Sequence, residues 1–211
     1  MRLSKSLITT IFAFASLTAS AQTPEGQQGQ MNPYIQVKTV VGDEYTVRAF
    51  FSPGCSYSKQ YFPFFSNLRT TLPAGEKFEF TPVVNKGDGV GYAMSFLAVK
   101  RFYPQYVSNF VEASLRGVQD LGLSPKNWAA IDRIGKAAHI PVSVPKLVND
   151  NRTVLLKDLD QAIQLQSDLK ITNTPSVSVA GTYIVTPEFT MGDSAQFSSL
   201  VNGLISMTSP H

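Results

Sequence analysis

The single cysteine of the chain, Cys55, lies in the stretch Thr46-Val47-Arg48-Ala49-Phe50-Phe51-Ser52-Pro53-Gly54-Cys55-Ser56-Tyr57-Ser58. Cysteine does its chemistry as a thiolate, which attacks disulfides and oxidised thiols or ligates soft metals. One cysteine cannot build a cysteine-based zinc site, and His139 and His211 are too few and too scattered to suggest another. Nucleophilic sulfur is what remains. A lone cysteine also commonly behaves as a small buried hydrophobe. Its position here favours the reactive reading, because an apolar run rich in Val and Phe stops at Pro53-Gly54 and an aromatic pattern of helical spacing starts straight afterwards.

That punctuation predicts strand, tight turn, helix. A cysteine in the first turn of a helix meets unpaired backbone N–H groups and the positive end of the macrodipole, both of which favour a negative sulfur. Tyr61, Phe64, Phe65, Leu68 and Leu72 recur at i, i+3, i+4 and bury one helix face under a sheet. Pro63 lacks the N–H a helix needs, yet the pattern runs past it, so it kinks the helix rather than ending it.

Around this unit, residues 35–40 alternate as a first strand, 45–51 form a second and 77–84 a third, giving β-β-α-β. The glycine-rich segment 87–91 matches neither a dinucleotide-binding nor a Walker pattern and reads as a hinge. Helical spacing then dominates, through Met94, Leu97, Ala98 and Phe102, then Val107, Phe110, Val111 and Leu115, then Trp128, Ile131, Ile134 and Ala138, and again over 153–169. Two short strands about Gly181 form a hairpin, and 194–207 is a last helix. The order implies a small sheet assembled from both ends of the chain, with helices inserted between.

Residues 1–21 read as a secretory signal. Arg2 and Lys5 precede an apolar core too short to span a bilayer, and Ala19-Ser20-Ala21 is a small-x-small cleavage site. Cleavage after Ala21 removes both charges, taking the formal net charge from +3 to +1. A nearly neutral chain without a basic run gives no reason to expect nucleic acid or an anionic membrane surface. Export delivers the protein to an oxidising compartment where cysteines are normally paired, and a single cysteine there points to an intermolecular disulfide or a free reactive thiol. Residues 22–32, rich in Gln and Gly, read as a flexible leader.

With Phe50-Phe51-Ser52 leading into Cys55, the Thr174-Pro175 step before a strand, the Val179-Ala180-Gly181-Thr182-Tyr183 hairpin and the helical insertion, the sequence resembles the DsbA-like periplasmic thiol-disulfide oxidoreductases. The resemblance implies an α/β thioredoxin fold, a central mixed sheet flanked by helices, with the fold over 33–85 and 169–211 and a helical insertion over 86–168. It matches Cys55 to the family's nucleophile and Pro175 to its cis-proline, with Ser58 beside the sulfur as a hydrogen-bond donor. Tyr57, Ser56, Thr174 and Phe51 are the expected substrate contacts, and Tyr57, Phe51 and Pro53 the expected hydrophobic rim. The sequence departs from the pattern twice: the motif reads Cys55-Ser56-Tyr57-Ser58 where the family has a second cysteine, and Ala49 stands where oxidases carry a buried acid. A conventional dithiol oxidase is thereby excluded.

Two readings remain. In one, Cys55 forms mixed disulfides with exported proteins, as an isomerase or a trap, resolved by a substrate thiol, a small thiol or a redox partner. In the other, the fold keeps its peptide groove without the chemistry and serves as a chaperone or assembly factor of an envelope secretion or conjugation system. Neither calls for a metal or cofactor, and with no dimerisation segment in view a monomer without a stable membrane span is expected.

Overall fold

The structure, a computed structural model, describes residues 32–85 and 89–209. The expected signal segment and, apart from Asn32, the expected leader lie outside the described residues, as do positions 87 and 88 of the glycine-rich segment. The strands are β1 (Ile35–Gln36), β2 (Thr46–Phe51), β3 (Lys77–Pro82), β4 (Ser176–Val179) and β5 (Tyr183–Val185). The helices are α1 (Ser56–Thr71), α2 (Gly89–Phe102), α3 (Val107–Leu121), α4 (Trp128–Ala137), α5 (Val144–Asp150), α6 (Arg152–Asp168) and α7 (Ser194–Thr208), with short 3-10 turns at Pro104–Tyr106 and Pro187–Thr190. No helix of the described residues is long and apolar enough to cross a membrane.

Among the described residues the strands form one sheet in the order β1-β5-β4-β2-β3, with β2 and β3 parallel and the other pairs antiparallel. Every residue of β2 is buried, as expected of a central strand covered on both faces. The pleat sends Val47, Ala49 and Phe51 to one face, where they meet Tyr61 and Phe65 of α1, Phe197 of α7 and, from the insertion, Tyr92, Phe96 and Phe110. Sheet and insertion therefore share one apolar core.

Arg48 and Phe50 point to the opposite face. Phe50 packs with Val83, Leu169, Ile171 and Ile184. Arg48 is buried, a position an unpaired charge cannot occupy cheaply. Its Nε and Nη2 donate to both carboxylate oxygens of Asp43 (3.1 and 2.7 Å), and its Nη1 donates to Glu79 Oε2 (2.6 Å) and Thr81 Oγ1 (3.0 Å). Lys100 Nζ donates to the same Glu79 oxygen (2.6 Å).

Local chemistry sets several boundaries. The β4–β5 hairpin turns through Ala180 and Gly181, both with positive φ (53° and 60°), and closes with Thr182 N donating to Val179 O (3.1 Å). A Cβ on Gly181 would lie 2.9 Å from the Asp43 Cβ, so glycine lets the loop carrying Asp43 close over the hairpin. Asn127 caps α4 by accepting from the Ala129 and Ala130 amides, and Gly122 ends α3 at φ 64°. Pro63 sits on the exposed face of α1, which continues to Thr71.

Three expectations are corrected. The first strand stops at Gln36 rather than residue 40, because its partner β5 is only three residues long; beyond it Val37 N and Val40 N donate instead to Thr182 O and Gly181 O (2.9 and 3.0 Å) around the hairpin. Gly89 and Gly91 belong to α2 rather than a hinge, and a Cβ on Gly91 would lie 3.3 Å from the Trp128 ring. The short helix α5 was not expected; it buries only Val144 and Val148, too few residues to show a period.

Burial opposes ionisation of Glu79, but Lys100 and Arg48 outweigh it and hold its carboxyl below the ordinary value of 4.5. A depressed carboxyl contributes stability that is present at neutral pH and lost as pH falls through the folded-state value. Glu79→Gln should therefore be less stable than wild type at pH 7, and its urea midpoint should fall less on acidification to about pH 4. Equal acid losses for the two proteins would place the sensitivity elsewhere.

Candidate active site

The antiparallel register of β2 with β4 builds the site. Phe50 pairs with Ser176, so the residues leaving the end of β2 lie beside those entering β4. After Phe51 the chain turns through Ser52, Pro53 and Gly54, closed by Cys55 N donating to Ser52 O (3.1 Å). Cys55 is the N-cap of α1, in extended conformation (φ −88°, ψ 118°), and it is partly exposed. Its Sγ donates to Thr174 O at 3.0 Å across 119 positions of sequence. The Thr174–Pro175 peptide bond is cis.

Beside the sulfur, a groove of about 410 Å³ is lined by Tyr57, Thr174, Pro175, Pro187, Glu188 and Met191, among others. Tyr57 is half exposed, and Met191 is 94% exposed at a positive φ of 50°. Glu188 stands at the groove with Asn173 Nδ2 donating to its Oε1 (3.0 Å). The groove thus combines apolar side chains, one carboxylate and a strand entrance, which suits an extended chain pairing through its backbone.

The structure brings together most of the residues expected from sequence. Cys55, Thr174 and Pro175 meet, Tyr57 reaches the groove, and Ser56 is exposed on the first turn of α1. Phe51 and Pro53 are corrections, since both are buried rather than at a rim. Phe51, 1% exposed, makes edge contacts with Phe80, Tyr92 and Phe96 and supports the turn from beneath. The apolar strand end that suggested a rim is instead the last core layer.

Ser58 is a further correction. It is buried, and its Oγ accepts a hydrogen bond from Ser52 N (3.2 Å). Among the described residues no hydrogen bond joins it to Cys55. Its hydroxyl fastens the first turn of α1 to the end of β2. Ala49 is fully buried, paired with Phe80 on one side and Val177 on the other.

Gln119, on α3, was not anticipated. Its Nε2 donates to Pro53 O and to Cys55 O, both at 2.9 Å. A glutamine on a helix carries no sequence signal for such a contact. The only available hint was the absence of an apolar role for it in the α3 pattern. One residue on, Asp120 pairs with Lys59 of α1.

No protein-family model and no curated protein matches the sequence. Solved structures do match its fold. The Klebsiella pneumoniae DsbA disulfide interchange protein is 20% identical, over 82% of this chain and 95% of that one, at a TM-score of 0.65. The Xylella fastidiosa oxidoreductase DsbA is 16% identical, over 82% and 94%, at 0.68. A variant of Proteus mirabilis DsbA with the noncovalently bound peptide PWATCDS is 18% identical, over 82% and 96%, at 0.67.

Removing the Ser58 hydroxyl leaves the buried Ser52 amide without this acceptor, so Ser58→Ala should lower the unfolding free energy by about 1 kcal/mol in urea denaturation. A variant as stable as wild type would show that water or another group replaces it. The alternation, the register and these solved relatives converge on one architecture: the chain has the DsbA-like thioredoxin fold, a mixed sheet interrupted by an inserted helical domain.

Proposed function

We propose that the protein is an exported monothiol member of the thiol-disulfide interchange proteins, acting in the periplasm through Cys55 on extended segments of other exported proteins. The observation that carries this is the placement of the Cys55 sulfur, partly exposed, at the start of α1 and against Thr174 O at the entrance of β4. The arginine- and lysine-led segment at the amino terminus supports export. The similar fold of Proteus mirabilis DsbA, solved as a variant with a noncovalently bound peptide, supports a peptide segment as ligand.

In the step proposed, the thiol loses its proton to solvent and the thiolate attacks one sulfur of a substrate disulfide. The substrate S–S bond breaks, its second sulfur leaves as a thiolate, and Cys55 holds the first in a mixed disulfide. No second protein thiol lies in the chain to resolve it. Release needs a substrate thiolate, which gives isomerisation, or a small thiol, which leaves the substrate with one free thiol and one mixed disulfide to the small thiol, reduced fully only when a second small thiol expels the first as a small-molecule disulfide. In either case the attacking sulfur takes over the bond and Cys55 is restored.

Incubation of the purified protein with a peptide disulfide should give a mass increase of one peptide half on wild type and none on Cys55→Ser. Should wild type give no adduct while Cys55→Ser still supports the protein's role in its host, the groove serves as a binding module for exported subunits and the sulfur is incidental.

Ser58→Cys adds a second thiol to the same turn. The new thiolate should attack the mixed disulfide and expel the peptide thiol, leaving an intramolecular disulfide and a reduced peptide in place of the adduct. Persistence of the adduct at the wild-type level would mean that position 58 cannot reach the sulfur.

A further inference from the structure

Two backbone carbonyls of the cysteine turn face the helical insertion. Pro53 is buried, and its carbonyl lies two residues before the N-cap Cys55 and so outside the α1 ladder. Cys55 O receives only a long bond from Lys59 N (3.4 Å) within its own helix. Buried carbonyls need donors, and a carboxamide nitrogen is suited to this one because it carries two N–H groups on a single atom. Gln119 Nε2 donates to both carbonyls at 2.9 Å.

The contact spans the junction between the sheet-proximal helix α1 and the insertion. Asp120 and Lys59 make a second tie between the same helices, but both of these side chains are substantially exposed, where an ion pair contributes little. Across the sulfur, the remaining fixed point is Thr174 O, 3.0 Å from Sγ. Cys55 is therefore held from two sides, by its backbone on α3 and by its side chain on the loop before β4.

We infer that Gln119 is a positioning residue: through Pro53 O and Cys55 O it fixes the cysteine turn so that Sγ stays registered against the peptide-binding edge at Thr174. The inference rests on the thiol-exchange reading for its consequence, but not for its geometry. A small alkylating reagent needs only an accessible thiolate, whatever its orientation. A peptide disulfide docked at the strand edge needs the sulfur in one place, so loss of the clamp separates the two reactions.

The test compares Gln119→Ala, Gln119→Glu and Asp120→Ala with wild type by three measurements: hydrogen exchange of the Cys55 and Lys59 amides, alkylation by iodoacetamide, and mixed-disulfide formation with a peptide disulfide. Gln119→Ala should speed exchange at these amides about threefold to tenfold, the scale of either one of the two hydrogen bonds it removes, and slow mixed-disulfide formation by a similar factor. Alkylation of Gln119→Ala should change less than about twofold, because it depends on the accessibility and thiolate fraction of the sulfur and not on its register against the strand edge. Gln119→Glu keeps the length, removes the donors and faces two carbonyls with an acceptor, so it should act in the same direction and more strongly. Asp120→Ala should leave all three rates within about twofold, as expected for an exposed ion pair.

Unchanged exchange in both Gln119 variants overturns the inference, as does an equal response in Asp120→Ala. Parallel changes in alkylation and disulfide formation would show a general structural loss rather than positioning and would overturn it as well. A wild type that forms no mixed disulfide removes the thiol-exchange reading instead, and the exchange rates still decide whether Gln119 holds the turn.

Discussion

The register between β2 and β4 is the constraint on which the site depends. With Phe50 opposite Ser176, the chain leaving one strand and the chain entering the other run side by side, and Cys55 falls against Thr174. A slip of one residue would reverse the faces, placing Arg48 in the aromatic core and Phe51 on the face that holds the charged partners of Arg48. The Arg48 network makes that slip costly. The guanidinium is tied to Asp43 on one hand and to Glu79 and Thr81 of β3 on the other, so charge pins β2 on one face while Val47, Ala49 and Phe51 pin it on the other. Groups at the far end of the strand from the sulfur thus decide where the sulfur lands.

The parts of this arrangement set by local chemistry were readable in the sequence. Pro53-Gly54 marked the turn, the spacing of Tyr61, Phe65 and Leu68 marked the buried face of α1, and Gly181 marked the hairpin. What depended on distant partners was not readable. The length of β1 is decided by the three residues of β5, found far along the chain. Phe51 ends an apolar run that looks the same whether its last ring is exposed or covered, and it is α2, supplying Tyr92 and Phe96, that covers it. Ser58 was expected to face the sulfur on the strength of the family motif, while the closer demand came from the buried Ser52 amide. The polar contact of Gln119 leaves no periodic trace at all.

A serine at position 58 changes more than the redox stoichiometry. In a site with two thiols, the second sulfur limits how long any mixed disulfide survives. Here the position is filled by a hydroxyl already engaged in holding the turn, and Ala49 places a methyl group where a charged side chain would have to be buried. The groove beside the sulfur is lined by Tyr57, Pro175 and Met191 at the entrance of β4, so an accessible strand entrance lies next to a single thiol.

The insertion has a structural stake in this chemistry. It supplies Tyr92, Phe96 and Phe110 to the core beneath the turn, and from α3 it supplies Gln119 to the turn itself. The first contribution is apolar, non-directional and spread over many atoms, so it fixes where the helices sit without fixing the orientation of a single peptide group. The second is directional and local, and it acts on the carbonyl of Cys55 itself and on that of Pro53, two residues before it. Packing alone would leave the turn free to adjust by small rotations about Pro53 and Gly54. A side-chain amide that must satisfy two acceptors at once admits far fewer of those rotations, which is why a single residue of the insertion can determine how the cysteine is presented to the strand edge.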